Sequence, residues 1–458
     1  MKTILVTTYS PCIHGSYGLV SKEIFLRIHA SGKYKIVHHA WFHIDPVESV
    51  PWQVIPTMGR KGPNGQMELL QEDNYGQKSF EQVLQQVKPD IVWALGDFYM
   101  LKHVFDLKPK YPTIPFIIHV AVDGEPWNGS MISSFINADH IVGISKYGAD
   151  VINSLSPKKA DYIYHGVNTD IFRAKASSYK GELRGKATGG RIKPDDFIIG
   201  WVGKDQFRKQ VWKFWELIHY MVHGDYIRCN TCNKVTLKEF DKQLGKPREV
   251  GSLRMYKADY DYKTCYHCNS SDITEGVPDD KVYGWSHMSW HAAEGWNPNQ
   301  LSDIWRVKDH VFMTGGLTPN KGINLNDLID VYNLFDIFYC MSGGEGFGLP
   351  VLEAMSCNVP IVSTNYSAHA EVAGDAGVFV NSTFMCEMNS CFDRALADTA
   401  DAVGKILDLR KDKKKLEDLG AKGRQRALSM TWDIIGHQWL SYIDKVAEKI
   451  NHTYGVII

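Results

Sequence analysis

The chain lacks any apolar run near the roughly 18 residues that a membrane-spanning helix needs, so no segment reads as transmembrane. Its opening does not read as a secretory leader either. The opening MKTILVTTYSPCIHG holds only a short ILV core, not an apolar region of roughly 7–15 residues. Net charge is missing too. Its 51 Lys and Arg stand against 52 Asp and Glu, for a formal charge of −1, so a nucleic acid or an anionic membrane would have to be held by a local patch. That opening reads as a first strand and the protein as cytoplasmic, and nine cysteines, an odd number in a long chain, argue against a disulfide framework. What remains is an ordinary soluble composition, 44% hydrophobic and 22% charged. At roughly 100–200 residues per domain, 458 residues suit two or three domains.

Short apolar runs alternate with helical patterns. KTILVTT (2–8) reads as a buried strand, followed by a loop and a helix from about Val20 to Ala30. PDIVWALGD (89–97), TIPFIIHVAVD (113–123) and HIVGISK (140–146) continue the alternation, which predicts a doubly wound parallel α/β sheet. Binding residues in such sheets gather where strands end, and His14, Gly15, Asp97, His119, Asp123 and Glu125 sit at or just after predicted strand ends. Residues 173–195, rich in Gly, Ser and Lys, read as a solvated linker. A second alternating set follows: DFIIGWVGK (196–204), the amphipathic helix QVWKFWELIHYM (210–221), then KVYGWSHM, DHVFMTGG, FDIFYCMS, VPIVST and GVFV. The closing segment is an amphipathic helical pattern interrupted near Thr431.

The second half is interrupted by residues 225–278, which hold CNTC (Cys229, Cys232) and CYHC (Cys265, Cys268). Two thiolates on each of two tight knuckles complete a closed tetrahedral zinc site, structural because no position is left open for chemistry. The gap between knuckles exceeds the roughly 15–20 residues usual for such sites. Zinc would supply roughly 10 kcal/mol or more of folding free energy to an insertion with few large apolar residues. Its cations Arg228, Lys234, Lys238, Lys242, Lys246, Arg248 and Arg254 are mixed with Glu239, Asp241, Glu249 and Asp259, so an architectural or protein-contact role stands beside nucleic-acid binding. Asp259-Tyr260-Asp261 matches a loose metal-binding DxD pattern, but it does not follow a sheet strand and is read as chance.

GGEGFGLPVLEAM (343–355) follows the predicted strand FDIFYCMS. Pro350 suits the first helical position. Glycine loop and helix start together offer free backbone N–H groups and the positive end of a dipole, an anion site. A glutamate beside a phosphate site is repelled unless it accepts hydrogen bonds from hydroxyls, as from sugar diols. WVGKDQFRKQ supplies the counter-charges Lys204, Arg208 and Lys209. Cations and amides for phosphate, with Glu345 and Glu353 for hydroxyls, suit a phosphorylated sugar. A helix-capping Glu353 and a solvated Glu345 are the plainer alternative. The glycine spacing does not fit the dinucleotide fingerprint G-x-G-x-x-G.

EGFGLPVLEAMSCNVPIVST resembles the E-x7-E signature of the retaining glycosyltransferases of family 4. IYHGVNTDIF resembles the segment that ends that family's first domain, with His165 and Asn168 where Asn and Asp are usual. ADHIVGISKYGADVI, WVGKDQFRK (Lys204 replacing an arginine) and GRQRALSMTWDIIGHQWL resemble three further family segments. The resemblance implies an α/β fold of two Rossmann-like domains facing a central cleft, as in glycogen phosphorylase. These would be an N-terminal acceptor domain (1–172), the linker 173–195, a nucleotide-sugar domain (196–430) and a C-terminal helix (431–458) crossing back. It further implies transfer of a sugar from a nucleotide-sugar donor with retention and no catalytic divalent metal. By position, Glu353 would bind the ribose and Glu345 a sugar hydroxyl. Gly346, Phe347, Gly348 and Leu349 would donate amides. Lys204, Arg208 and Lys209 would neutralise the diphosphate. Gly15 would face it and His119 would lie near the sugar. GSYG (15–18) departs from the family's Gly-Gly loop.

The acceptor stays open: a glycan, a lipid-linked saccharide or a small molecule, with a modified base of viral DNA as the alternative raised by the zinc insertion. A non-catalytic sugar-nucleotide-binding protein is the reading from another class. Tyr9, Tyr17, Trp52, Tyr75, Phe98 and Tyr99 lie in first-domain loops, where they either stack on a ligand or pack among themselves.

Overall fold

A computed structural model describes residues 1–12, 16–42, 50–61, 67–69, 73–127, 129–238, 240–241, 246–247, 262–288, 296–315, 317, 323–387 and 390–454. His14, Gly15 and the fragment 259–261 lie outside this set.

Lys2–Tyr9 buries five consecutive residues in its interior, the signature of a strand covered on both faces. It lies in a seven-stranded parallel sheet with the order Gln53–Pro56, Tyr34–Trp41, Lys2–Tyr9, Ile91–Asp97, Phe116–Ala121, His140–Gly143, Ala160–Tyr162. A second, six-stranded parallel sheet runs Val311–Met313, Val282–His287, Phe197–Val202, Ile337–Cys340, Ile361–Thr364, Gly377–Val380. Every strand expected from the apolar runs is present, and the first helix opens at Ser16, slightly earlier than the apolar pattern suggests.

The basic stretch 173–195 is exposed along most of its length but is not without structure. It contains the helix Ser177–Thr188, whose Arg184 is 2% exposed. That guanidinium donates to the carbonyls of Leu334, Pro194 and Asp196 and reaches the Asp336 carboxylate at 2.6 Å. Lys180 pairs with the same carboxylate at 2.8 Å, and Lys175 with Asp330 at 2.6 Å. A buried charge persists only when paired and hydrogen-bonded, and here the pairing fastens the helix to the second sheet.

Near Thr431 the helical pattern breaks, as the sequence indicates. Lys413–Leu428 ends, Val167 donates to the Met430 carbonyl at 3.0 Å, and the helix Trp432–Tyr454 begins. That last helix lies on the first sheet's side. Trp439 meets Trp93 edge-on at 5.5 Å, and Asp444 accepts from Lys33 and the Tyr34 hydroxyl, each at 2.7 Å. An unforeseen hairpin, Ser382–Cys386 with Asp393–Ala397, reaches toward the first sheet. There the Asp393 amide donates to Glu125 O at 2.6 Å and Phe392 stacks on Trp127 at 6.3 Å.

Candidate active site

The second sheet contributes one wall. Strand Ile337–Cys340 leads into the glycine loop, and Gly348 (φ 98°) turns it into helix Leu349–Ser356, a backbone conformation open to glycine and costly for other residues. Gly344 answers to a different constraint. A Cβ there would lie 2.0 Å from the Asp123 carbonyl oxygen and 2.8 Å from Arg394 Nη1, so only glycine lets the walls meet.

Glu345, 7% exposed, is ion-paired to Lys209 Nζ and lies 3.2 Å from Arg208 Nη1. Its amide donates to Ser367 Oγ at 2.9 Å. Burial pushes the Glu345 carboxyl up, but Lys209 and Arg208 outweigh it and hold it well below the usual carboxylate range. His369, on the helix Ser367–Ala373, is held neutral chiefly by burial, its pKa pulled down to about 4. A small cavity lined by Lys209, Ser342, Glu345, Gly348 and Pro350 lies against the helix start.

Of the three cations expected from WVGKDQFRKQ, two arrive. The short 3-10 turn Phe207–Lys209 and the left-handed Gln210 (φ 49°) aim Arg208 and Lys209 at Glu345. Arg208 also donates to the Gly344 carbonyl at 2.7 Å and reaches Asp123 Oδ2 at 3.3 Å. Lys204 is exposed and stays out of this cluster.

Glu353 occupies different surroundings. It accepts a 2.5 Å hydrogen bond from the Tyr332 hydroxyl, and burial, only partly opposed by that bond, pushes its carboxyl up to about 7. Phe347 and Leu349 are buried side chains, so backbone rather than side chain is what they can offer a ligand. The Phe347 ring packs at 4.9 Å from His165.

The first sheet forms the facing wall. Asp97 ends its strand and accepts from the Tyr17 hydroxyl at 2.6 Å; burial and the neighbouring Asp123 push it up to about 6. Asp123 lies 3.3 Å from Arg208 and 3.3 Å from Arg394, and Arg394 Nη1 also donates to the Asp123 carbonyl at 2.7 Å. From sequence, Asp123 stands out only as a strand-end residue, and Arg394 not at all. It rides on the hairpin, braced by Glu387 at 2.7 Å. Ser367 and His369 carry only the weak signal of a short S-x-H after a predicted strand.

His119 departs from the expectation that it ends a strand. It lies inside Phe116–Ala121, fully buried, with Nδ1 on the Val142 carbonyl at 3.0 Å and its ring edge-on to Trp439 at 4.8 Å. The strand runs two residues past it, so its side chain faces the C-terminal helix.

The four insertion cysteines come together, their ligand atoms all within 4.8 Å of one another. Cys229 Sγ lies 3.6 Å from Cys268 Sγ, and Cys232 Sγ 3.5 Å from Cys265 Sγ. Sulfurs at about 2.3 Å around a tetrahedral zinc stand about 3.8 Å apart, so the set fits. The two knuckles match: Asn233 (φ 59°) and Asn269 (φ 58°) take the left-handed turn, and the Cys232 and His267 amides donate to the first sulfur of each. The module leans on the helix Thr399–Lys411 through buried Val235, beside Gly404, and the Arg228–Asp408 pair at 2.5 Å.

Residues 299–426 match the family described as "Glycosyl transferases group 1". Over 84 residues the chain is 38% identical to the O-antigen chain mannosyltransferase B of Escherichia coli, a stretch that is 18% of this chain and 21% of that protein. The chain thus matches about a fifth of that relative's length. Among solved structures it resembles sucrose-phosphate synthase from Thermosynechococcus elongatus, with a TM-score of 0.67 at 13% identity, covering 97% of this chain and 99% of that one. It also resembles Anabaena HepE solved with UDP and glucose, with a TM-score of 0.64 at 13% identity, covering 97% and 100%. The fold is the α/β glycosyltransferase fold with two parallel sheets, and the group 1 match falls on residues 299–426. Among the described residues no helix is long and apolar enough to cross a membrane.

Proposed function

We propose that this protein is a retaining, family 4-type glycosyltransferase that moves a sugar from a nucleotide-diphosphate donor to a hydroxyl of a glycan. The observation that carries this reading is the convergence of Arg208, Lys209 and Glu345 on the glycine loop inside the matched group 1 segment. UDP and glucose in the similarly folded HepE support a nucleotide-sugar donor, and the mannosyltransferase relative makes mannose the first sugar to try.

In this reading Arg208 and Lys209 neutralise the diphosphate, while the amides of Gly346, Phe347, Gly348 and Leu349 add fixed dipoles. Glu345 leaves its cations to accept a sugar hydroxyl, and ionised Glu353 takes the ribose diol. Arg394 joins Arg208 beside the leaving group. The C1–O(phosphate) bond breaks with its electron pair going to the phosphate, the acceptor oxygen bonds C1 from the same face, and the acceptor proton passes to the departing phosphate oxygen. Burial of His119 under Trp439 gives it a packing part, and exposed Lys204 is left a peripheral one. Gly15 lies outside the described residues, and its part beside the diphosphate rests on the resemblance alone. Zinc on Cys229, Cys232, Cys265 and Cys268 holds the insertion together.

Melting curves with UDP-glucose, UDP-N-acetylglucosamine, GDP-mannose, ADP-glucose and a CMP-sugar test the donor, since a ligand that binds the native state raises its melting temperature. One is expected to stabilise and to be turned over. Lys209→Ala and Glu345→Ala should then lose transfer with the fold retained, and near-wild-type turnover in both overturns the assignment. Metal analysis should find one zinc per chain, lost in Cys232→Ser together with a lowered melting temperature.

A further inference from the structure

Behind Glu345 lies a group of buried polar side chains to which donor binding gives no work. Ser342, Thr364, Ser367 and His369 are each 7% exposed or less. The Glu345 amide donates to Ser367 Oγ at 2.9 Å, and the Glu345 carbonyl accepts from the Ala368 amide at 3.3 Å, so one turn holds both polar groups of that residue's backbone. His369 lies between two hydroxyls, with Nδ1 3.3 Å from Ser367 Oγ and Nε2 2.8 Å from Thr364 Oγ1. Thr364 Oγ1 donates to the Ser342 carbonyl at 2.8 Å. His369 also backs the end of the glycine loop, where a Cβ on Gly348 would lie 3.0 Å from His369 Cβ.

Counting protons gives these bonds a direction. A hydroxyl has one proton to donate and lone pairs that accept. Thr364 gives its proton to the Ser342 carbonyl, so its oxygen accepts from His369, and Nε2 carries the ring hydrogen. The Thr364 carbonyl also favours an imidazole N–H. In a neutral imidazole the second nitrogen is then an acceptor, so Nδ1 takes the Ser367 proton, and Ser367 Oγ is left to accept the Glu345 amide. The result is a one-way chain from Glu345 N–H through Ser367, His369 and Thr364 to the Ser342 carbonyl. Bonds aligned in one direction strengthen one another in a low-dielectric interior. The charged groups facing the ring are Glu345, Lys209 and Arg208; an imidazolium would donate from both nitrogens and break the chain. Ser367 is held at φ 56°, a conformation that glycine takes freely and that strains serine. What serine adds there is the hydroxyl that the chain requires.

Resting on the glycosyltransferase reading, we propose that Ser367 and His369 are positioning residues: through this chain they fix the Glu345 backbone, and with it the carboxylate that accepts the sugar hydroxyl, without touching substrate themselves. The chain serves placement of the sugar for transfer. Capture of the diphosphate rests on Arg208 and Lys209, which the chain does not hold. Its loss therefore lowers kcat and leaves nucleotide binding in place.

Ser367→Gly in the full chain tests this, because it removes the hydroxyl and the backbone strain together. Its melting temperature should stay at or above the wild-type value, and the melting shift induced by UDP or GDP should be unchanged, while kcat for transfer falls about tenfold or more. His369→Leu should lose kcat to a similar extent, and His369→Gln, whose amide can still donate to Thr364, should lose less. Heteronuclear NMR of the histidine-labelled wild type, with His369 assigned by its absence in His369→Gln, should find that ring neutral with its hydrogen on Nε2 at neutral pH. A hydrogen on Nδ1, or an imidazolium, overturns the chain. Wild-type kcat in both Ser367→Gly and His369→Leu overturns the positioning role, and so does a kcat loss in Ser367→Gly that comes with a lowered melting temperature. Failure of the donor reading shows separately, as a wild-type protein whose melting no nucleotide or nucleotide sugar shifts; the ring hydrogen then still decides for or against the chain.

Discussion

Glu345 and Glu353 stand at the two ends of one loop-and-helix segment, and their surroundings pull them in opposite directions. At the loop end, Lys209 and Arg208 hold Glu345 ionised against its burial. On the helix, Glu353 has one phenol, Tyr332, and burial wins, carrying it up to about 7. Two carboxylates of one motif therefore differ by their counter-charges, which come from a different strand's loop. The first is a stored charge pair that a diphosphate can take over; the second is a group that a diol must ionise.

The largest way to break this contrast is Lys209→Ala. It removes the closer cation while Arg208 still faces Glu345, so the fold should hold. Turnover should fall by about 10²–10³, the loss seen when one preorganised charge-stabilising donor is removed, and steady-state transfer assays read it. Zinc chelation is the matching control outside the contrast: it should lower the melting temperature through the insertion without moving the pH behaviour below.

Next comes pH. A carboxyl raised on folding makes the native state bind more protons than the unfolded one between its two pKa values, so stability declines as pH rises through that window. For Glu353 the window runs from the ordinary value of 4.5 up to about 7. Glu353→Gln should remove this decline and gain on the order of 1–2 kcal/mol over wild type at pH 8, read from urea melts at pH 5 and 8. Glu345 has the opposite sign. Its contribution is complete above 4.5 and is lost as pH falls below it, so Glu345→Gln should flatten the acid side only. Identical pH profiles in the two variants would erase the distinction. Donor-induced stabilisation should also grow from pH 6 to 8 in wild type and stay flat in Glu353→Gln.

The smallest expected effect belongs to Tyr332→Phe. Losing one buried hydrogen bond should cost about 1 kcal/mol and push Glu353 higher still, moving its pH window upward. A variant with unchanged stability and unchanged window would show that Tyr332 does not hold the carboxyl.

Much of this frame was legible in residue order. Continuous apolar runs announced the parallel strands, because a strand covered on both faces cannot alternate. CNTC and CYHC announced a joint site because knuckle geometry is local. The glycine loop with its proline announced a helix start for the same reason. Other features were hidden. Lys204 and Arg208 look alike in sequence, and a 3-10 turn with a left-handed Gln210 decides which one faces Glu345. Arg394 arrives on a hairpin whose strands gave no signal beside the sheet strands. Asp97 ends one strand and Asp123 follows the end of the next, but only the sheet order brings them near each other. Six loop aromatics looked equivalent, and packing sorted them: Tyr17 bonds Asp97, Phe98 packs against Phe105, Trp127 and Phe135, and Trp52 lies against His29.

Sequence by itself therefore determined the periodic and the local: two parallel α/β sheets, a helix opening at the proline after the glycine loop, a pair of cysteine knuckles, and which loops hold cations and carboxylates. Tertiary structure alone decided which charges meet. It paired Glu345 with Arg208 and Lys209, left Glu353 to a phenol, and brought Asp123 against Arg208. The physical reason is range. Turn chemistry and burial pattern act over a few residues, whereas a carboxylate's pKa and partners depend on groups within several ångströms in space, here brought from positions up to hundreds of residues apart.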